Sequence, residues 1–228
     1  MQNAEPNEAL LNAFDRRVHD LRIFMNVVKS YVGDHPELNH AEHPVVHSYK
    51  SRLKDRGHLE QKIERKRSAG RELTVENLFY QITDLAGVRI LHLFQGDFEK
   101  IDAVIRAKIA EGDWVLGEKA KAYSWDPEAV SFFQKFDLQV EQKESFYTSA
   151  HYLIKPRADS PICCELQVRT LFEEIWGEVD HLINYPRPST LLACQEQLKV
   201  LSKIVGGGSR LLDSIQRISR EAEADMRG

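Results

Sequence analysis

The sequence contains little cysteine, and its few cysteines form no recognisable pattern. Three occur among the 228 residues, and two of them, Cys163 and Cys164, are adjacent. An odd number of cysteines does not suit a disulfide framework. The Cys-x-x-Cys pairs and Cys/His spacings of zinc sites are also missing. We therefore expect reduced thiols and a cytoplasmic location.

Long apolar runs are missing too. No stretch approaches the roughly 18 apolar residues of a membrane-spanning helix. The polar residues 2–8 do not resemble a signal peptide. The net charge of −4 excludes a generally cationic surface. A nucleotide or nucleic acid would therefore have to bind at a local basic patch.

Apolar periodicity predicts helices and strands within a single α/β domain. Helices are expected over residues 7–32, 56–68, 74–79, 97–110, 126–136 and 190–224, the last with a soft spot at 206–208. Another helix is expected between a capping box at 170–173 and Pro186. Strands are expected over 44–53, 86–94, 147–154 and 162–168, with a strand or loop over 114–123 and a loop over 138–146.

An acidic residue and an arginine, Asp84 and Arg89, lie five residues apart at the start of a predicted strand. Such a pair suits a metal–phosphate site, because a carboxylate binds cations and a guanidinium binds phosphate oxygens. An acid in front of a strand is also a common turn residue. The stretch by itself leaves both interpretations open.

A basic run lies upstream, with eight Lys or Arg residues between positions 50 and 67. Arg52 and Lys54 are two residues apart on an extended segment, so their side chains point to the same side. Lys62 and Arg65 are three residues apart on a helix and share one face. Two such pairs can clamp a polyphosphate, with Arg forks binding oxygens and Lys supplying point charge. A solvated basic face balanced by neighbouring acids is the alternative.

Two later strands carry polar side chains on one face. Tyr147, Ser149 and His151 can stack a base and hold a sugar or phosphate, although an ordinary amphipathic strand has the same alternation. Glu165 is flanked by apolar residues, and a carboxylate in such a place needs a partner. A divalent cation shared with Asp84 is such a partner, and Mg²⁺ suits two carboxylates plus substrate phosphates.

Together these stretches resemble the synthetase domain of the RelA/SpoT family, the alarmone synthetases. The resemblance covers roughly residues 45–185, and the motifs keep the family's order and internal spacing. The motifs are Arg52-x-Lys54 with Lys62 and Arg65, Asp84-x-x-Gly87-x-Arg89, Tyr147-x-Ser149-x-His151, and Glu165-x-Gln167-x-Arg169-Thr170 followed by Trp176, Glu178, His181 and Tyr185.

The resemblance implies an α/β fold of nucleotidyltransferase type, with a mixed five-stranded sheet flanked by helices. It assigns residues 41–186 to the catalytic core of one synthetase domain. Residues 1–40 and 187–228 are then its N- and C-terminal helical extensions. We expect a chain that only synthesises its product, because the length leaves no room for a separate hydrolase domain.

The resemblance also implies transfer of pyrophosphate from ATP to the ribose 3′-OH of GDP or GTP, which makes (p)ppGpp. The catalytic residues would be Asp84, Glu165 and Arg89, with Asp84 and Glu165 binding Mg²⁺ and Glu165 taking the hydroxyl proton. ATP would contact Arg52, Lys54, His58, Lys62, Arg65 and Arg89, with the adenine between Arg52 and Arg89. The acceptor would contact Lys143, Tyr147, Ser149, His151 and Gln167.

Three positions depart from the family pattern. His58 stands where the ATP run usually has a serine, and Phe146 stands where a glycine usually precedes the tyrosine. Thr148 follows that tyrosine in place of a basic residue. The carboxylates are intact, so these departures leave the transfer chemistry in place and put the acceptor in question.

Two alternatives therefore accompany the expected activity. One is the same transfer to a tRNA 3′ end or an adenosine nucleotide, as in toxin-type members of the family. The other is an inactive nucleotide-binding module, which the presence of Asp84, Arg89 and Glu165 disfavours. The expected partners are ATP, a guanine nucleotide and either a second copy of the chain or a small antitoxin, with no membrane.

Overall fold

A computed structural model of the chain describes residues 5–40, 44–143, 145–185 and 188–226. The helices are α1 (Asn7–Asp15), α2 (Val18–Asp34), α3 (Arg56–Ser68), α4 (Leu78–Gln81), α5 (Phe98–Ala110), α6 (Pro127–Phe133), α7 (Leu171–Asn184) and α8 (Leu192–Asp225). The strands are β1 (Ser48–Leu53), β2 (Ala86–His92), β3 (Val115–Leu116), β4 (Lys121–Ser124), β5 (Gln139–Gln142), β6 (Ser149–Lys155) and β7 (Cys164–Thr170).

The strands of the described ranges form one mixed sheet, which confirms the predicted fold class. Their order is β1-β2-β7-β6-β4-β5, and β3 pairs with β6 beside β4. The pairs β2–β7 and β4–β5 are parallel, and the other pairs are antiparallel. The sheet has seven strands instead of the expected five. The additional strands include β5, which lies within the loop predicted over 138–146.

The N-terminal segment forms two helices, so the single helix predicted over 7–32 is wrong. The break falls at Arg16 and Arg17, and it lets α1 contact α3 while α2 contacts β1 and β2. The apolar stripe is buried as predicted, with Leu10 and Val28 fully inaccessible. Both helices thus belong to the same core as the sheet.

Several helix ends also differ from the predictions. The short helix begins at Leu78 rather than after Thr74, because Thr74 Oγ1 accepts a hydrogen bond from the Asn77 N–H and closes a turn there. The helix capped by Asp126 ends at Phe133, three residues before the expected end. The predicted boundaries at residues 41, 186 and 187, including Pro186, lie outside the described residues.

The sheet has one apolar face and one polar face. Ala150, Tyr152 and Ile154 of β6 and Leu166 of β7 are fully buried on the core side. The residues that alternate with them on β6 and β7 are mostly partly exposed and polar. No helix in the described part of the chain has the length and apolar character to cross a membrane.

The C-terminal helix α8 is continuous through Gly206, Gly207 and Gly208, where a soft spot was expected. A Cβ atom built on Gly208 would lie 2.9–3.1 Å from the ring of Phe172 on α7, whereas one built on Gly207 would meet open space. The glycine run therefore provides a flat surface on which α8 approaches α7 closely.

These neighbouring glycines give a matched pair of substitutions. Gly207→Ala should raise the free energy of unfolding by up to about 1 kcal/mol, because alanine is the better helix former. Gly208→Ala should be less stable than Gly207→Ala by roughly 1 kcal/mol or more, because its methyl group overpacks against Phe172. Urea unfolding of both variants checks this. Equal stabilisation by both would contradict the close contact with Phe172.

Candidate active site

The strand register places polar side chains in rows across the open face of the sheet. Lys50 of β1 lies opposite Arg89 of β2, which lies opposite Gln167 of β7 and then His151 of β6. Because side chains alternate along each strand, the residues of this row share one face. Motifs that are far apart in sequence are thereby brought side by side.

A cleft of about 610 Å³ lies between this face and helix α7. Helix α7 is fixed at its start by the predicted capping box, in which Thr170 and Glu173 each bond the other's backbone N–H. The cleft is lined by Lys50, Ser51, Arg52, Asp84, Gly87, Val88, Arg89, Tyr147, Glu165, Gln167, Arg169, Trp176, Gly177, Glu178, Asp180 and His181.

Asp84 lies at the mouth of β2 between two lysines. Its carboxylate oxygens are 3.1 Å from Lys54 Nζ and 2.5 Å from Lys62 Nζ. Burial alone would raise the pKa of Asp84, but the charges and hydrogen bonds of Lys62 and Lys54 hold it below its ordinary value. Burial lowers the pKa of Lys54 despite the attraction of Asp84.

Glu165 is held in the cleft by hydrogen bonds to both of its carboxylate oxygens. His151 Nδ1 is 3.0 Å from Oε1, and Gln167 Nε2 is 2.8 Å from Oε2. Burial alone would raise the pKa of Glu165, but the bonds from His151 and Gln167 keep it below its ordinary value. The sequence analysis predicted that this carboxylate needs a partner, and His151 and Gln167 act as hydrogen-bonding partners of its two oxygens.

The ring of Tyr147 packs against the same hydrogen-bond network. The Tyr147 hydroxyl is 2.9 Å from His151 Nε2, and burial raises the pKa of Tyr147. Tyr123 of β4 lies beside both rings, with its centroid 5.0 Å from that of His151. This aromatic cluster forms the end of the polar row on the side away from Arg52.

Seven predicted ligand-binding residues are not part of the cleft lining. They are Lys54, His58, Lys62, Arg65, Lys143, Ser149 and His151, of which Lys54, Lys62 and His151 contact the lining carboxylates Asp84 and Glu165. Ser149 is fully buried and donates to the Val168 carbonyl, so it ties β6 to β7. Arg65 is exposed on α3, and His58 pairs with the capping carboxylate Asp55. Lys143 Nζ lies 4.3 Å from the ring centroid of Tyr123. The alternation of side chains along a strand predicted which face of β6 carries Ser149, but it did not predict that Ser149 is buried.

The structure adds three charged residues that the sequence did not assign to the site. Glu174 of α7 has a 6% exposed side chain, and it accepts from Arg89 Nη1 at 2.7 Å and from Lys50 Nζ at 2.9 Å. Arg169 of β7 is 3.4 Å from the same carboxylate. Lys50 stands two residues before Arg52, a spacing that places both on one strand face. No local sequence pattern predicted that Glu174 would pair with Arg89 and Lys50.

Two carboxylates of the cleft have the chemistry to hold a magnesium ion. Asp84 Oδ1 is buried, and its partner among the described residues is the Lys62 ammonium at 2.5 Å. Across the described ranges, no three His, Cys, Asp or Glu side chains converge as a metal cage. Mg²⁺ commonly takes one or two protein carboxylates, with substrate phosphates and water completing its shell, and Asp84 and Glu165 supply that number.

A mixed sheet with two lysines around Asp84, a second carboxylate at Glu165 and an aromatic cluster makes this an α/β protein whose cleft suits the phosphates of a nucleotide. A family model described as the region found in RelA/SpoT proteins matches residues 51–190. The match covers more than half of the sequence, and the chain belongs to the RelA/SpoT family.

Individual relatives agree with this assignment. GTP pyrophosphokinase YwaC of Bacillus subtilis (strain 168) is 26% identical over 156 residues, which cover 68% of this chain and 66% of that protein. The match thus spans just under two thirds of that relative.

Solved structures show the same fold. A GTP pyrophosphokinase family protein from Streptococcus pneumoniae has a TM-score of 0.66 at 18% identity, covering 92% of this chain and 94% of that chain. Small alarmone synthetase 1 from Bacillus subtilis, bound to its product pppGpp, has a TM-score of 0.65 at 20% identity, covering 92% and 98%. The synthetase fold expected from the resemblance is confirmed.

Proposed function

We propose that this chain transfers pyrophosphate from ATP to the ribose 3′-OH of a guanine nucleotide. The observation that carries the proposal is the Asp84 carboxylate held between Lys54 and Lys62 in the cleft that also contains Glu165. Phosphoryl-type transfer depends on positioning and charge neutralisation more than on covalent catalysis. This cleft supplies both.

ATP would lie along the β1 side of the cleft. Lys54 and Lys62 place two positive charges beside Asp84, where the triphosphate would be held. Arg52 and Arg89 come from the adjacent strands β1 and β2 and both line the cleft, so their planar guanidinium groups can enclose the adenine. Arg65 is exposed and would serve only an outer phosphate contact.

Asp84 and Glu165 would hold Mg²⁺, which when bound neutralises phosphate charge and makes a nearby hydroxyl easier to deprotonate. The acceptor 3′-oxygen bonds to the β-phosphorus of ATP while the bond from that phosphorus to the α-bridging oxygen breaks, and AMP leaves. Glu165 takes the hydroxyl proton. The bonds from His151 and Gln167 hold the pKa of Glu165 below its ordinary value, so the carboxylate is ionised near neutral pH.

The acceptor base would stack on Tyr147, beside His151 and Gln167. The related small alarmone synthetase is described as bound to its product pppGpp, which supports a guanine nucleotide as acceptor. Lys143 would have to leave the ring of Tyr123 to reach an acceptor phosphate.

A second candidate is the same transfer to another 3′-OH, such as that of an adenosine nucleotide or a tRNA 3′ end. The departures from the family pattern favour it. Phe146 packs against Trp125, with ring centroids 5.2 Å apart. Thr148 is buried against Ser124, 3.0 Å between hydroxyl oxygens. Neither position supplies positive charge for acceptor phosphates.

One incubation separates these candidates. Purified protein with Mg²⁺ and γ-labelled ATP is offered GDP, GTP, unlabelled ATP or tRNA in parallel, and the labelled products are resolved by chromatography or gel. We expect label on GDP or GTP. Label on tRNA or an adenosine nucleotide alone would replace the first candidate by the second. Absence of transfer to every acceptor would overturn both and leave a nucleotide-binding module.

A further inference from the structure

Arg169 is a buried arginine at the centre of the cleft, and it starts two chains of hydrogen bonds. Its Nη2 donates to the Tyr147 hydroxyl at 3.1 Å and to Gln167 Oε1 at 2.8 Å. Its side chain is only 4% exposed. A guanidinium has no acceptor, so both chains must run outwards from Arg169.

Both chains end on Glu165. In one, the Tyr147 hydroxyl lies 2.9 Å from His151 Nε2, and His151 Nδ1 lies 3.0 Å from Glu165 Oε1. In the other, Gln167 Nε2 donates to Glu165 Oε2 at 2.8 Å. An ionised carboxylate only accepts, so His151 donates from Nδ1 and Tyr147 donates to Nε2. Arg169 thereby fixes the direction of every bond in the ring.

Glu174 connects the same arginine to the other half of the cleft. It lies 3.4 Å from Arg169 Nη1, while Arg89 Nη1 donates to its two oxygens at 2.7 and 2.9 Å. Arg89 Nε also reaches Gln167 Oε1 at 3.3 Å. Removing one member of such a buried charge cluster leaves the others without compensation, so their positions depend on one another.

Gly177 of α7 leaves space for the guanidinium of Arg169. A Cβ built on Gly177 would lie 2.7 Å from Arg169 Nη1, which is shorter than any van der Waals contact. The crowded atom is the end of a long side chain, so an alanine here would displace Arg169 and leave helix α7 in place.

We infer that Arg169 is a positioning residue for both nucleotides, acting on the acceptor side through Tyr147 and on the ATP side through Glu174 and Arg89. The inference rests on the proposed function. Arg169 reaches the reacting atoms only through these neighbours and through the ring that orients Glu165. Loss of Arg169 should therefore raise KM for both nucleotides.

Gly177→Ala is the sharpest test, because its methyl group should move the Arg169 guanidinium while the backbone of helix α7 stays in place. Steady-state transfer is measured with ATP varied at fixed acceptor and with acceptor varied at fixed ATP, alongside the melting temperature. We expect KM to rise roughly tenfold for both nucleotides, with a cooperative melting transition that shows the variant is folded. Gly207→Ala is the matched helix-glycine control and should leave both KM values unchanged.

Arg169→Gln should raise both KM values by about 10- to 100-fold. Arg169→Lys keeps the charge but not the planar fork, so its KM values should lie between those of the wild type and those of Arg169→Gln. Arg106→Gln removes a comparable arginine, paired with Asp102 outside the cleft, and should leave both KM values unchanged. A merely structural role would lower the amount of active protein and the apparent kcat while leaving KM as it was.

Wild-type KM values for both nucleotides in Gly177→Ala and Arg169→Lys would overturn the inference while leaving the proposed function intact. A rise in KM for only one nucleotide would overturn the two-sided role. If Arg169→Gln fails to fold, the other two variants decide. A wild-type protein that transfers to no acceptor would overturn the proposed function and this inference with it.

Discussion

Replacement of Glu165 by glutamine should lower kcat for pyrophosphate transfer by about a thousandfold or more and leave the fold intact. The amide has nearly the shape of the carboxylate, but it cannot accept the proton of the attacking hydroxyl and is a poor magnesium ligand. In the structure, Glu165 is the acceptor at the end of both hydrogen-bond chains. An amide keeps one acceptor oxygen, so most of the local packing should survive.

Transfer of label from ATP, measured with and without the substitution, checks this expectation. Glu118→Gln is the matched control, because Glu118 is a half-exposed partner of Lys121 outside the cleft. Circular dichroism and urea unfolding confirm that both variants are folded. Undiminished turnover in Glu165→Gln would remove Glu165 from the mechanism.

Asp84→Asn should remove transfer activity to a similar extent, about a thousandfold, and should also destabilise the protein. Lys54 has a side chain only 7% exposed, and Asp84 lies 3.1 Å from its charge. Without the carboxylate, that lysine is a buried cation with no compensating charge, a loss on the order of 3 kcal/mol. The same substitution removes one of the two proposed magnesium ligands.

A second substitution separates the loss of transfer activity from the loss of stability. In the double variant Lys54→Met with Asp84→Asn, the buried charge is gone, so the free energy of unfolding should recover most of the loss. Transfer should remain absent, because neither the carboxylate nor the lysine is restored. Recovery of activity along with stability would show that Asp84 acts through the fold alone.

The pH dependence of stability should reflect the same ion pair. Burial opposes ionisation of Asp84, but Lys62 and Lys54 hold its pKa below the unfolded value. The unfolded chain therefore binds the proton first as the pH falls. The stabilising contribution of Asp84 is present above about pH 4 and is lost as the pH falls towards its folded pKa. Asp84→Asn should show a correspondingly flatter acid limb in urea unfolding.

Local patterns in the sequence determined the elements and the face each motif occupies. The capping box at Thr170 and Glu173 and the alternation of Ala150 and Tyr152 towards the core depend on residues within a few positions of one another. Such signals are set by backbone geometry and burial, and they can be read without knowledge of the partner strands. The motifs Asp84 to Arg89 and Glu165 to Thr170 were placed on strands in this way, and their roles were inferred from the resemblance to the family.

Only the tertiary structure decided which residues of different motifs meet. The additional strand β5 forms because β4 lies beside it, and the break at Arg16 follows from the separate contacts of α1 and α2. Arg169 reaches Glu174 and Tyr147 because parallel pairing of β2 and β7 places α7 above the open face of the sheet. Strand pairing and long-range ion pairs join residues far apart in the chain, and no local periodicity records them. The sequence therefore pointed to Asp84 and Glu165 as candidates, and the fold showed that Glu165 is joined to Arg169 through Tyr147, His151 and Gln167.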